Sequence, residues 1–452
     1  MKVPFFATAA LVATFLPISL VAQQKEPGRC TITPGQYLGW QAERVSNRWV
    51  TLTFVPQLGG RLMQVEFNGH AYLFTNPRFR GKYISPDEAK GGWINYGGDK
   101  IWPMPEGSED ENHWVIQSTA IDDLPYSFET LSKGKECMVR LTGQPDTITG
   151  MRIVRTVTLG AESPEIHFHA LMENATAHPI TWSIQSVSQY DLSDPAKPGD
   201  FNHNFWAYTP RNPASSFPDG MHVRYGLAHD PSFSFDGDLF RLHWTWFGNE
   251  VWLDSNAGWV AIVDKSSRYG MVETFHVKRD AEYPGKTSVI FYQNGPTVSF
   301  DEKGIPSIAG ADSSKDAYYM EAEINSPMVT LQPGETYAFD TAWHPISIDA
   351  QPEEFSAPGL VVERLKATVD AGKLHLKGNF SVFAPGKLMA VFFNRNGIIS
   401  GQHELEDVDP AKMVMLDTTV PIDPGLARVS LKLIDSEGKD RGSLSIAKVE
   451  AR

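Results

Sequence analysis

Cysteine is nearly missing from this chain: among 452 residues there are two, Cys30 and Cys137. That excludes a small disulfide-stapled scaffold, and two distant cysteines alone make no zinc site. In an oxidising compartment the two could pair. Beyond residue 22 no apolar run is long enough to span a bilayer as a helix. Runs of basic residues are absent too, and the formal net charge is −14. An acidic surface repels phosphate backbones, which excludes nucleic acid as a partner. Long helical periodicity is also lacking, and 37 glycines and 31 prolines would interrupt it often.

The first segment carries the one long apolar run. Lys2 precedes residues 3–22, and the polar run Gln23-Gln24-Lys25-Glu26 ends it. This layout reads as a secretory signal over residues 1–22, cleaved after Ala22, with Leu20 where a small residue is preferred. No cysteine follows directly, so lipidation at that point is not expected. The expectation is an exported protein, periplasmic or extracellular, with no membrane association after cleavage.

Beyond it, short runs alternate apolar and polar residues between turn signals. Residues 49–55 (WVTLTFV), 151–159 (MRIVRTVTL) and 165–172 (EIHFHALM) all have period two. Residues 259–263, 287–292 and 318–324 continue the pattern. Such alternation with dense punctuation predicts antiparallel sheets and an all-β fold. The pattern changes near residue 349, where DAQPEEFSAPG (349–359) reads as a linker. Strand-like runs then restart, with turns at Pro385-Gly386 and Asn396-Gly397. The expected organisation is a large β domain over 30–348 and a small immunoglobulin- or fibronectin-like β-sandwich over 360–452.

Chemistry concentrates in residues 90–106, KGGWINYGGDKIWPMPE. Four glycines would let the backbone approach a ligand. Between and beyond them stand Trp93, Asn95, Tyr96, Asp99, Lys100, Trp102 and Glu106. Sugars are held by flat rings against C–H faces and by amides or carboxylates against hydroxyls, and this loop has both. The same rings could instead plug a core. The glycine spacing lacks the strand-to-helix context of a phosphate loop. His167 and His169 share one strand face, and so do Glu321 and Glu323. Two neighbouring carboxyls push each other's pKa apart, which suits acid/base work, although a solvated strand face has the same pattern. No third ligand accompanies the histidines, so neither a metal nor another cofactor is expected.

The order GGRL (59–62), GGDKIWPMPE (97–106), FYQNG (291–295), YYMEAEINSPM (318–328) and LQPGE (331–335) resembles the DUF4380-type proteins, a group in the galactose-mutarotase-like superfamily. The resemblance covers roughly residues 37–343 and leaves out the tail. It implies a β-supersandwich holding a carbohydrate on a concave face. It further implies a late glutamate, Glu321, as general base and an early arginine, Arg61, as a sugar ligand. The strand that should carry the acid histidine reads TWSIQSVSQYD (181–191), with Gln185 there and no histidine. His169 or His203 from another strand is then the candidate acid, and hydrolysis would pair Glu321 with Asp99 or Glu106 across the cleft. Three readings remain open: mutarotase-like acid/base chemistry, cleavage of a polysaccharide by a hydrolase or lyase, and non-catalytic carbohydrate binding.

Overall fold

A computed structural model of the chain describes residues 28–451, apart from 111, 195, 198–199, 246, 301–302, 304, 310–317 and 424. The expected signal at residues 1–22 lies outside the described residues. The described chain is all-β, as its alternation predicts: it has one four-residue α-helix, Pro86–Ala89, and two short 3-10 turns. Two large sheets, of twelve and ten strands, pack face to face as a supersandwich, and an eight-stranded sheet follows.

The twelve-stranded sheet contains five adjacent strands that matter below. In spatial order they are Asp99–Met104, Ile180–Asp191, Tyr319–Asn325, Val289–Gln293 and Asn249–Leu253, all antiparallel. At the centre of the ten-stranded sheet are Tyr269–Phe275, Thr336–Ser347, Ile166–Asn174 and Met151–Gly160. Period-two alternation aims one set of side chains from each strand into the space between sheets. Met320, Ala322 and Ile324 enter it from one side, and Ile166, Phe168 and Ala170 from the other, all in one apolar core.

That core also holds polar groups. Arg155, facing inward from its strand, is ion-paired with Asp99 of the opposite sheet, and both are buried. Glu273 accepts hydrogen bonds from Ser188 Oγ (2.6 Å) and Tyr190 Oη (2.5 Å), again across the two sheets. Buried polar groups are tolerated when paired in this way.

Cys30 and Cys137 form a disulfide with Cα atoms 5.8 Å apart. It ties the start of the first described strand to the strand Glu136–Thr142 of the other sheet.

The eight-stranded sheet folds over itself. Its strand Asp440–Ala451 pairs antiparallel with Leu426–Asp435 and then, through its last residues, parallel with Gly359–Asp370. A separate apolar core fills the fold. Within the segment expected as a linker, Glu354–Ser356 pairs as a strand with Gly359–Asp370. A third apolar cluster, with Trp259, Ile346, Leu360 and Phe383, joins this unit to the ten-stranded sheet.

Two predictions follow from the core. Replacing both Cys30 and Cys137 by alanine should lower unfolding free energy by about 2–4 kcal/mol in urea titrations, because the bridge closes a long loop. Equal midpoints for the variant and the oxidised parent would count against that. Burial raises the Glu273 carboxyl from 4.5 to about 7. Between these values the unfolded chain releases the proton while the folded chain keeps it, so Glu273 makes stability fall as pH rises through that window. The Glu273→Gln variant should therefore gain on the parent from about pH 4.5 to about pH 7 and stay level above. A pH-independent difference in urea titrations would refute this.

Candidate active site

The outer face of the twelve-stranded sheet, turned away from the other sheet, carries the candidate site. Alternation along Asp99–Met104 sends Asp99 and Ile101 into the core and Lys100 and Trp102 to this face. The same rule brings Gln185 and Gln189, Glu321 and Glu323, Tyr292, and then Glu250 and Trp252 onto it from the next four strands. Strand register orders them. One row runs Gln189, Glu321, Tyr292, Glu250, and its neighbour runs Lys100, Val187, Glu323, Ile290, Trp252. Glu321 and Glu250 stand two strands apart, about 10 Å at the backbone.

Lys100 Nζ donates to Glu321 Oε1 at 3.0 Å, and Gln189 Nε2 donates to the same oxygen at 2.7 Å. Gln185 Nε2 donates to Glu323 Oε2 at 2.5 Å. Lys100 also lies over the rings of Trp102 (4.2 Å) and Trp93 (5.8 Å), a cation–π arrangement that steadies a buried ammonium. The indole of Trp252 donates to Glu250. Beside this face Glu106, Arg224, Glu250 and Trp252, with Val115 and Ile116, line a cavity of about 300 Å³.

Electrostatics separates the carboxyls. Burial pushes Glu106 and Glu323 well above the usual carboxylate range. Neighbouring carboxylates, Glu250 and Glu321 for Glu106 and chiefly Glu321 for Glu323, push further the same way, and Lys100 opposes them. Glu250 is raised as well, again chiefly by burial. Glu321 is the one whose oxygen meets the lysine ammonium directly. An ion-paired carboxylate beside carboxyls of raised proton affinity is an acid/base arrangement.

Several expected site residues converge here: Glu321, Lys100, Trp102, Glu106, Trp93 and Gln185. Asn95 accepts from Gly97 N (3.1 Å) and also meets the Tyr319 hydroxyl. Four expectations need correction. Asp99 faces the core and Arg155, so it is no partner of Glu321. Arg61 is fully buried; it donates to Asp122 Oδ1 (2.7 Å) and to Gly97 O (3.1 Å), which spends it on the fold. Tyr96 is equally buried, its hydroxyl bonded to the Ile84 backbone. His169 lies on the outer face of the ten-stranded sheet, exposed and bonded to Asp340 (2.7 Å). The glycines need the same treatment. A Cβ on Gly97 would lie 2.2 Å from Phe74 O and one on Gly98 2.8 Å from Leu62 O, so the close approach is to the protein's own backbone.

No family model matches the chain, and no curated protein matches it. Among solved structures, a galactose mutarotase-like protein from Clostridium acetobutylicum aligns with 71% of this chain and 99% of its own, at 12% identity and TM-score 0.45. For a galactose mutarotase-like protein from Lactobacillus casei the values are 67% and 99%, 11% and 0.42. A TPR-domain containing protein from Parabacteroides distasonis aligns with 73% of this chain at 12% identity and TM-score 0.44, and the match spans 55% of that protein.

Sequence reasoning missed Gln189, Glu250, Arg224, Trp252 and Tyr292 as members of the site. Tyr292 stands in FYQNG and Gln189 in TWSIQSVSQYD, yet nothing local singles them out, and only strand pairing brings the five beside Glu321. It missed Asp122 too. This carboxylate accepts from Arg61, from Trp102 Nε1 (2.7 Å) and from Trp93 Nε1 (3.1 Å), so it positions both rings around Lys100. Asp122→Ala leaves the buried Arg61 without its closest partner and should cost about 3–5 kcal/mol in urea or thermal unfolding. A loss below about 1 kcal/mol, the range of an exposed pair, would show that Arg61 is held by other means.

Proposed function

We propose that the chain is an exported carbohydrate-active enzyme whose cleft does acid/base chemistry on a sugar, with Glu321 as general base and Glu323 as general acid. One observation carries the reading: Glu321, ion-paired to Lys100, shares a sheet face with Glu323, whose proton affinity burial and the neighbouring carboxylates raise. Aromatic rings and amides surround them, the two kinds of group a sugar needs. On an aldose, Glu321 takes the proton of the anomeric hydroxyl. The C–O bond to the ring oxygen then breaks, and Glu323 gives its proton to that oxygen. Re-closure on the other face returns both protons and yields the other anomer. The acid histidine of the mutarotase-like pattern is replaced here by a carboxylic acid. The resemblance to DUF4380-type proteins belongs to this proposal and rests on motif order. Export is supported by the signal-like start and by the Cys30–Cys137 bridge, which suits an oxidising compartment.

A second reading has an observation of its own. Glu106 stands near enough to Glu321 to raise its proton affinity, as a glycosidase acid does beside its partner carboxylate. Cleavage of a glycoside would use Glu106 as the acid.

Polarimetry on freshly dissolved aldoses tests the first reading, and reducing-end release from oligosaccharides tests the second. In whichever assay shows turnover, Glu321→Gln should lower kcat by about 10²–10⁴-fold while sugar binding persists. Glu323→Gln should match that loss in mutarotation, and Glu106→Gln in cleavage. His169→Asn should leave the rate unchanged. Full activity in Glu321→Gln would sink both readings. Binding without turnover in either assay would leave a carbohydrate-binding protein.

A further inference from the structure

The outer face of the twelve-stranded sheet does not stop at the cleft. Alternation along Asn249–Leu253 puts Glu250 and Trp252 on this face, and Asp254 comes next in the same row. On the neighbouring strand Ile290 stands opposite Trp252, and the same rule puts Ser288 beyond it. Asp254 and Ser288 line a second cavity, of about 720 Å³, more than twice the volume of the one beside Glu106. Glu250 and Asp254 are four residues apart, about 13 Å along an extended chain. Trp252 stands between the two cavities. It lines the smaller one, and Gly285, on the wall of the larger, packs against its ring. A Cβ at Gly285 would lie 2.2 Å from Trp252 Cζ3, and the backbone there has φ +54°, so the approach needs glycine.

The charge of this cavity runs against that of the chain. The formal net charge is −14, yet Lys278, Arg279 and Lys286 line the wall against two carboxylates, Asp254 and Glu282. Among the described residues none of the three cations is ion-paired with a carboxylate. Lys278 Nζ lies over the Tyr337 ring (4.9 Å) and meets its hydroxyl at 3.4 Å, which leaves its charge in place. Asp254 is already engaged: it accepts from Ser215 Oγ (2.7 Å) and from Ser216 N (2.6 Å). Glu282 alone is left to offset three cations.

Exposed cations by themselves make only a solvated surface. Here they stand on a concave wall with groups of other kinds. Asn256 Nδ2 donates to Asn212 Oδ1 at 3.1 Å, and each amide keeps hydrogen-bonding capacity for a hydroxyl. The half-buried Tyr283 adds a ring face. A volume of about 720 Å³ is well inside the range of ligand pockets. A neutral sugar would leave the cations unused. A sugar unit with an acidic substituent uses all three kinds of group: anion to guanidinium and ammonium, hydroxyls to the amides, C–H face to the ring.

We propose that this cavity is a subsite for a sugar unit bearing a carboxylate or a sulfate, the ligand being an acidic oligosaccharide that crosses Trp252 with its reacting unit beside Glu321. This rests on the carbohydrate reading above and narrows it to chains with an acidic unit beyond Trp252.

Calorimetry at pH 7 and low salt on the full chain tests it. The probes are a galacturonate trisaccharide, a sulfated galactose trisaccharide, the neutral galactose trisaccharide and sodium sulfate. At least one acidic trisaccharide should bind about tenfold or more tighter than the neutral one. In the Arg279→Gln/Lys286→Gln double variant that preference should fall below about threefold. Lys373→Gln/Lys439→Gln removes as much charge from the small sandwich and should leave the preference in place. A thermal melt on each variant shows whether it is folded. Equal or tighter binding of the neutral trisaccharide overturns this proposal and leaves the carbohydrate reading standing. A preference that survives Arg279→Gln/Lys286→Gln, or that falls equally in Lys373→Gln/Lys439→Gln, does the same. Sulfate ion bound as tightly as the sulfated trisaccharide overturns it too, since the cavity would then hold an anion without its sugar. If no trisaccharide binds the folded parent protein, both readings fall.

Discussion

The ion pair between Lys100 and Glu321 sets what the outer sheet face can be. An ammonium buried beneath two tryptophans is viable only with a carboxylate in reach, and Glu321 lies 3.0 Å away. Much of the surrounding chain exists to keep the two in register. Gly97 and Gly98 press against the backbone at Phe74 and Leu62, which brings the strand start close to its neighbours. Asp122 pins both indoles, and Gln189 supplies the second hydrogen bond to Glu321. With that carboxylate satisfied, the adjoining carboxyls have no ammonium of their own, and burial raises their proton affinity.

Asp99 and Lys100 show how closely the site is bound to the sandwich. They are consecutive residues that point to opposite faces of one strand. Asp99 meets Arg155 between the sheets, while Lys100 meets Glu321 on the outer face. One strand thus anchors the core's polar network and the cleft's charge pattern together. Effects of substitution at the two positions are coupled through the backbone they share, so they will not add as distant sites do.

Much of this was legible in the residues. Alternation in 151–159, 165–172 and 318–324 announced strands, and each stretch is one. Alternation also placed Glu321 and Glu323 on one face, and the polar-aromatic loop pointed to Lys100, Trp102 and Glu106. Arg61 and Asp99 were misread because residue type does not say which face of a strand meets the core, and Tyr96 because a loop does not announce which of its rings turns inward. Each is polar enough to serve a ligand; Arg61 and Asp99 are instead consumed by Asp122 and Arg155, far away in sequence, and Tyr96 by the nearer Ile84 backbone. His169 was misread for a related reason: nothing local tells which of two sheets a strand joins.

By itself, the sequence determined what is local: strand periodicity, the breakpoints between elements, and which neighbours on one strand share a face. These follow from backbone geometry, which repeats every two residues whatever the rest of the chain does. Tertiary structure alone decided that Glu250 and Gln189 would flank Glu321, that Cys30 would meet Cys137, and that Asp122 would hold the tryptophans. Those contacts join residues tens to hundreds of positions apart. They depend on strand pairing, and pairing is settled by the burial of whole faces, a property no short segment carries.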